Sequence, residues 1–149
     1  IIPLTINSTL PSLNTEVFIS GFGLHGTGSV PDQDFDSKKR WGKNVLTIIA
    51  RENFLLSEPA LTTSSDKIIL GFYFDKGISS LESMISLGDS GSPLLIEDDG
   101  NFNIVGVASW VSPDINSLVR GYGSSAGYAS ISENIDPFMN ILYFKLFIQ

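Results

Sequence analysis

The 149-residue chain contains no cysteine, which excludes disulfides, thiolate nucleophiles and cysteine-ligated zinc or iron–sulfur centres. It has one histidine, His25, so imidazole chemistry within the chain has a single candidate. Basic residues are scarce: nine stand against sixteen acidic ones, giving a net charge of −7 and an isoelectric point near 4.4. A nucleic-acid or anionic-membrane surface needs clustered Lys and Arg, so both are poor partners for this chain. Charged residues of either sign make up only 17% of the chain, against about 25% in a typical soluble domain. Mean hydropathy is +0.18, yet no apolar run approaches the roughly 20 residues of a membrane span. The apolar surplus therefore calls for a cover, including protein outside this chain. Neither an initiator Met nor a charged-then-apolar leader is present at Ile1-Ile2-Pro3-Leu4. The chain reads as a processed or truncated piece, one domain in size.

What is present is a series of short β-type runs separated by Gly, Ser, Asn, Asp and Pro. The candidate strands are Glu16–Gly21, Asn44–Arg51, Lys67–Phe74, Pro93–Glu97, Asn103–Trp110 and Gly127–Ile131. Their Val, Ile, Phe and Tyr content predicts an all-β barrel or sandwich. Asp98-Asp99-Gly100-Asn101 predicts a tight hairpin, because Gly and Asn tolerate positive φ. Residues Gly26–Lys39 predict a long surface loop. The period changes at the C-terminus, where Asn134 or Asp136 can cap a helix and Pro137 suits its first turn. Ten of the fourteen residues from Ile135 to Ile148 are apolar, which predicts a helix over about 135–147 buried on more than one side. Such a helix docks on this chain's own barrel, or also on a partner domain.

Leu87-Gly88-Asp89-Ser90-Gly91-Ser92-Pro93 carries the chemistry. A serine between glycines, in a tight turn feeding an apolar strand, exposes its hydroxyl and leaves backbone N–H groups free nearby. Acyl transfer needs both features, a nucleophile and donors for the developing oxyanion. A similar string forms the α/β-hydrolase elbow, but there a strand passes into a helix. Here Pro93-Leu94-Leu95-Ile96 continues as a strand and no βαβ alternation exists. An unrelated β-sandwich with a chance Gly-Ser turn would instead bury Ser90 or hold it far from Trp110.

Gly88-Asp89-Ser90-Gly91-Ser92-Pro93 resembles the G-D-S-G-G/S-P signature around the nucleophile of chymotrypsin-like (trypsin-fold) serine proteases. The flanks agree in order. Glu16–Gly23 is similar to the family's V-x-G-W-G strand, with Phe22 in place of Trp, and Lys39–Val45 resembles the segment that follows it in many bacterial members. Ile104–Trp110 is similar to the L-x-G-I-x-S-W-G strand beside the substrate cleft. Gly127–Ser132 resembles the V-Y-T-R-V-S strand before the terminal helix. The resemblance runs from about Pro3 to Leu146.

It implies a six-stranded antiparallel Greek-key barrel, the second barrel of that fold, with a C-terminal helix. It implies peptide-bond hydrolysis with Ser90 as nucleophile and the N–H groups of Gly88 and Ser90 as oxyanion hole, with neither cofactor nor metal. Asp89 is implied as the partner of a freed N-terminal ammonium, or, read from its own neighbourhood, as a turn residue bonded to nearby backbone. Pro3-Leu4 depart from the family's I/V-V/I-G-G start, so Ile1 is not carried over into that role. Ser109, Trp110 and Val111 would pair with a polypeptide substrate as an added strand. Met84, Val111 and Ala126 would line a shallow, uncharged specificity pocket for small or medium apolar residues. The alternative is that Met84 and Val111 are ordinary core residues.

Two members of the family's triad are missing. Nothing resembles its T-A-A-H or D-I-A-L motifs, and Ile1–Ile6 resembles the stretch just after the aspartate segment. His25 lies in a loop away from the general-base position and is expected to be solvent-exposed. The base and its carboxylate are therefore expected from an N-terminal barrel outside this chain. The alternative is a non-catalytic protease-like domain used for protein binding. Secretion, or another extracytoplasmic location, is what such a resemblance implies for the cell.

Overall fold

The computed structural model describes residues 4–30, 34–51, 68–76, 81–114 and 120–132. Eight strands form one sheet: β1 (Thr5–Ile6), β2 (Glu16–Gly21), β3 (Arg40–Val45), β4 (Ile48–Arg51), β5 (Ile68–Tyr73), β6 (Pro93–Asp98), β7 (Asn101–Ser112) and β8 (Ser125–Ser130). Hydrogen-bonded neighbours run β3-β2-β6-β7-β8-β5-β4. All these pairs are antiparallel. The expected count of six is thus low, and β1 departs from the antiparallel rule, pairing parallel to β7 through Thr5↔Asn103 and Ile6↔Ile104.

The expected strand over 44–51 is two strands, because the chain changes partners at Leu46-Thr47. Leu46 exchanges backbone bonds with the Asn14-Thr15 turn, whereas the Thr47 N–H donates to Gly71 O on β5. The two ends of the sheet, β3 and β4, are therefore joined by a two-residue corner, so the sheet curls around one core. Asp99 (φ 49°) and Gly100 (φ 77°) make the two-residue β6–β7 hairpin, as the positive-φ requirement of such turns predicts. The expected C-terminal helix over 135–147 lies outside the described residues.

Alternation fills the interior. Val17 and Ile19 of β2 point inward, as do Ile68, Leu70 and Phe72 of β5, and they meet Leu46, Leu94, Val105 and Tyr128. Phe72 and Tyr128 touch ring to ring, with centroids 5.7 Å apart. A bulge between Ala108 and Trp110 inserts Ser109 into β7, so the inward phase slips by one residue. That bulge sits beside the Ser90 turn.

Candidate active site

Ser90 lies in the tight segment 86–92 that leads into β6. Two consecutive turns shape it, with Asp89 N–H donating to Ser86 O at 3.1 Å and Ser92 N–H to Asp89 O at 2.9 Å. Gly88 (φ 95°) and Gly91 (φ 83°) bracket the serine in left-handed backbone, which other residues adopt only under strain. A Cβ at Gly88 would come within 2.7 Å of the Phe35 ring, so that position is closed sterically as well. The segment is then sewn to β7: Gly91 N–H donates to Ala108 O at 3.1 Å, and Ala108 N–H to Ser92 O at 2.8 Å.

This bonding leaves a specific remainder. The N–H groups of Asp89 and Gly91 are used internally, whereas those of Gly88 and Ser90 donate to nothing among the described residues. Ser90 itself is exposed. An exposed hydroxyl thus stands with its own N–H and that of Gly88 unengaged, the two donors an oxyanion would need.

Asp89 anchors the segment from below. Its Oδ1 accepts the Gly23 N–H at 2.7 Å and its Oδ2 the Ser86 N–H at 2.9 Å. Leu24 N–H adds a bond to Leu87 O at 2.8 Å. Gly21 and Gly23 make the approach possible, since a Cβ at Gly23 would lie 2.7 Å from both Asp89 Cγ and Oδ1. Asp89 here has the backbone-bonded turn role. Tyr128 lies near enough to feel it: burial pushes the phenol well above its ordinary value, and the Asp89 charge adds to the shift. The Tyr128 hydroxyl is buried without a hydrogen-bond partner among the described residues.

The expected substrate-binding residues separate into two groups. Ser109 is exposed and Trp110 half-buried. Trp110 packs its ring on Gly127 across the β7–β8 pair, where a Cβ would occupy the indole's place. Residues 110–112 pair with β8 on one side, while β6 stops at Val107, so no strand among the described residues covers their other edge. Ala126, by contrast, is wholly buried in the core, and Met84 and Val111 pack against it. Met84, Val111 and Ala126 share no described cavity with Ser90.

The cavity that Ser90 does line, about 560 Å³, is walled by Leu4, Phe22, Pro93, Leu95 and Phe102, with Lys39 at its edge. Leu4, Phe22 and Phe102 are 40%, 57% and 39% exposed, so an apolar surface surrounds the serine. A second cavity, about 650 Å³, lies beyond Asp89 and contains His25 and Met84. His25 is half-buried, with Nδ1 enclosed and without a hydrogen-bond partner among the described residues. This corrects the expectation of an exposed loop residue: the Leu24 bond to Leu87 draws the loop onto the body. The two cavities have Ser20, Gly21 and Asp89 in common, but Ser90 and His25 open onto different ones. No group of three His, Asp or Glu suited to a metal occurs among the described residues.

Solved structures supply the comparison. Neuropsin, a serine protease expressed in the limbic system of mouse brain, superposes with a TM-score of 0.60 over 95% of this chain, at 19% identity. The fold resembles one barrel of the trypsin fold. This chain spans 54% of the neuropsin chain, the share expected of one of two barrels, and at this identity the likeness is one of fold. No family model matches the chain, and no curated protein matches it.

Proposed function

We propose that the chain is the nucleophile-bearing half of a serine endopeptidase. Ser90 Oγ attacks the scissile carbonyl, and the N–H groups of Gly88 and Ser90 hold the oxyanion of the tetrahedral intermediate. The observation that carries this reading is the pair of unengaged donors flanking an exposed serine between two left-handed glycines. The open edge of Ser109–Ser112 suits a substrate main chain added as a strand. The general base and its orienting carboxylate come from a second barrel, for which the apolar surround of Leu4, Phe22 and Phe102 offers a seat. In that assembly Asp89 would exchange its Gly23 bond for an arriving N-terminal ammonium. A preference for small or medium apolar substrate side chains belongs to the same proposal, resting on the uncharged Met84 and Val111 rather than on the surface that seats the second barrel. An extracytoplasmic site of action belongs to the same proposal.

A binding module without catalysis is the second reading. What favours it is that the chain's one histidine opens onto a different cavity from Ser90. A fluorophosphonate probe separates the two. The 149-residue chain should label slowly at Ser90, and Ser90→Ala not at all. Adding an N-terminal barrel of the same fold as a separate chain should accelerate labelling; enzymes of this design keep only about 10³–10⁴ of their enhancement over water without the triad. Fast labelling of the chain alone would overturn the two-barrel arrangement. No labelling with the second barrel present would leave the binding module.

A further inference from the structure

The two donors beside Ser90 are each the free end of an anchored peptide unit. In a trans unit the C=O and the N–H point in opposite directions, and there is no cis bond among the described residues. Leu87 O accepts the Leu24 N–H at 2.8 Å, which turns the Gly88 N–H of the same unit away from Leu24. Asp89 O accepts the Ser92 N–H at 2.9 Å, which does the same for the Ser90 N–H. The two anchors differ in kind. The Asp89–Ser92 bond closes a local turn, whereas Leu24 and Leu87 are distant in sequence and meet only because the chain leaving β2 returns to this point. Gly88 itself resists rotation poorly, because a residue with no Cβ populates φ of either sign. Reversal of the Leu87–Gly88 unit would break the Leu24 bond, turn the N–H inward and put a carbonyl where the oxyanion belongs.

One side chain bears on that unit. A Cβ at Gly88 would lie 2.7 Å from Phe35 Cε1 and 2.9 Å from Cζ, with Gly23 Cα next at 3.2 Å. The ring tip and the Gly23 backbone together close the side of Gly88 where a side chain would stand. The rest of the ring is open, since Phe35 is 61% exposed. Phe35 therefore meets Gly88 with the far edge of its ring and is not part of the core. Its loop is stiffened next to the ring. Asp36 Oδ1 accepts the Lys38 N–H at 3.1 Å, and the Arg40 guanidinium donates to Asp36 Oδ1 and Oδ2 at 2.8 and 2.6 Å. Arg40 opens β3, in register with Gly21 at the exit of β2. Phe35 and Leu24 thus reach the nucleophile turn from segments joined to the same end of the β2–β3 pair. We propose that Phe35 is a positioning residue for the oxyanion donor: its ring holds Gly88 against Gly23, so that the Leu87–Gly88 unit keeps its N–H outward. The role rests on the reading of Ser90 as nucleophile, and Phe35 acts in it only through Gly88.

Two readouts on the 149-residue chain separate the contact from the chemistry. NMR gives the first: the residual dipolar coupling of the Gly88 N–H reports its direction, and exchange of the Leu24 amide reports the bond to Leu87 O. In Phe35→Ala the Gly88 coupling should shrink toward zero and the Leu24 amide should exchange faster, while Gly91, whose N–H is held by Ala108 O, stays unchanged. The second readout is the rate at which a fluorophosphonate labels Ser90. Loss of a whole oxyanion donor costs about 10²–10³ in rate, so a donor that points outward only part of the time should cost less, about tenfold. Phe35→Leu, which refills the space over Gly88, should restore both readouts. Arg40→Gln, which frees the Phe35 loop from Asp36, should reproduce part of the loss. Thermal midpoints confirm that each variant is folded. An unchanged Gly88 coupling and Leu24 exchange in folded Phe35→Ala would overturn the proposal whatever Ser90 does. So would altered amides with an undiminished labelling rate. A wild-type chain with an ordered Gly88 N–H that does not label, even when an N-terminal barrel is added, would instead sink the nucleophile reading, and with it the use made of the donor.

Discussion

Gly21→Ala isolates what holds the nucleophile turn. Gly21 ends β2 and has no positive φ, so the backbone itself accepts alanine. The obstacle is steric: the new Cβ would sit 2.6 Å from Asp89 Cγ and closer still to Oδ1. Relief requires the carboxylate to withdraw from the new methyl. Oδ1 would then lose the 2.7 Å bond from Gly23 N–H, while the 2.9 Å bond from Ser86 can persist. A hydrogen bond to a charged group contributes about 1.5–3 kcal/mol, so Gly21→Ala should destabilise the chain by about that amount. Asp89→Ala, which abandons both bonds, should cost about twice as much. The decisive measurement is the double mutant by urea denaturation with a common m-value. Without the carboxylate there is nothing for the introduced methyl to strike, so Gly21→Ala should be nearly neutral in the Asp89→Ala background, leaving a coupling of about 1.5–3 kcal/mol. An equal cost in both backgrounds would refute the claim that Gly21 exists for Asp89.

Tyr128→Phe removes a buried hydroxyl that has no partner, so stability should hold or rise by up to about 1–3 kcal/mol; a loss beyond about 1 kcal/mol in thermal unfolding would show that the hydroxyl is satisfied after all. Gly127→Ala places a methyl where the Trp110 indole lies and should expel the ring, read as a red shift of tryptophan emission that is absent when Trp110→Phe is already in place. The Arg40 guanidinium holds the Asp36 carboxyl well below the usual carboxylate range. A folded-state value lowered in this way stabilises the fold above the ordinary carboxylate pKa and loses that contribution as pH falls toward the folded value. NMR titration should therefore find Asp36 still ionised about one pH unit below the ordinary aspartate pKa, and Arg40→Gln should return it to the ordinary range.

Much of the sheet was legible because local chemistry and tertiary context agree. The β2 boundaries follow from a short β-prone run with three consecutive apolar residues, Val17-Phe18-Ile19, closed by Gly21, and the 98–101 hairpin from residues that accept positive φ. The break at Leu46-Thr47 was not legible, since Val45 through Arg51 has continuous β character and the chain divides only because its partners change. Strand β1 is too short for a period, and the Ser109 bulge leaves no compositional mark. The nucleophile turn was legible for the same reason as the hairpin: Gly88 and Gly91 are demanded by backbone geometry. The packing around the expected specificity residues was not. Whether Met84 and Val111 face a substrate or the core depends on how side chains from β7, β8 and the 81–86 segment pack, which spacing from Ser90 does not encode.

The bonding around Asp89 links these observations. The carboxylate joins the turn that holds Ser90 to the exit of β2, 66 residues earlier in sequence. Gly23 and Leu24, fixed by that joint and by Leu87, begin the loop that carries His25 into the larger cavity. Asp89 is thus the wall between the two cavities. Any group that drew its Oδ1 away from Gly23 would loosen the loop on one side and re-aim the Gly88–Ser90 backbone on the other.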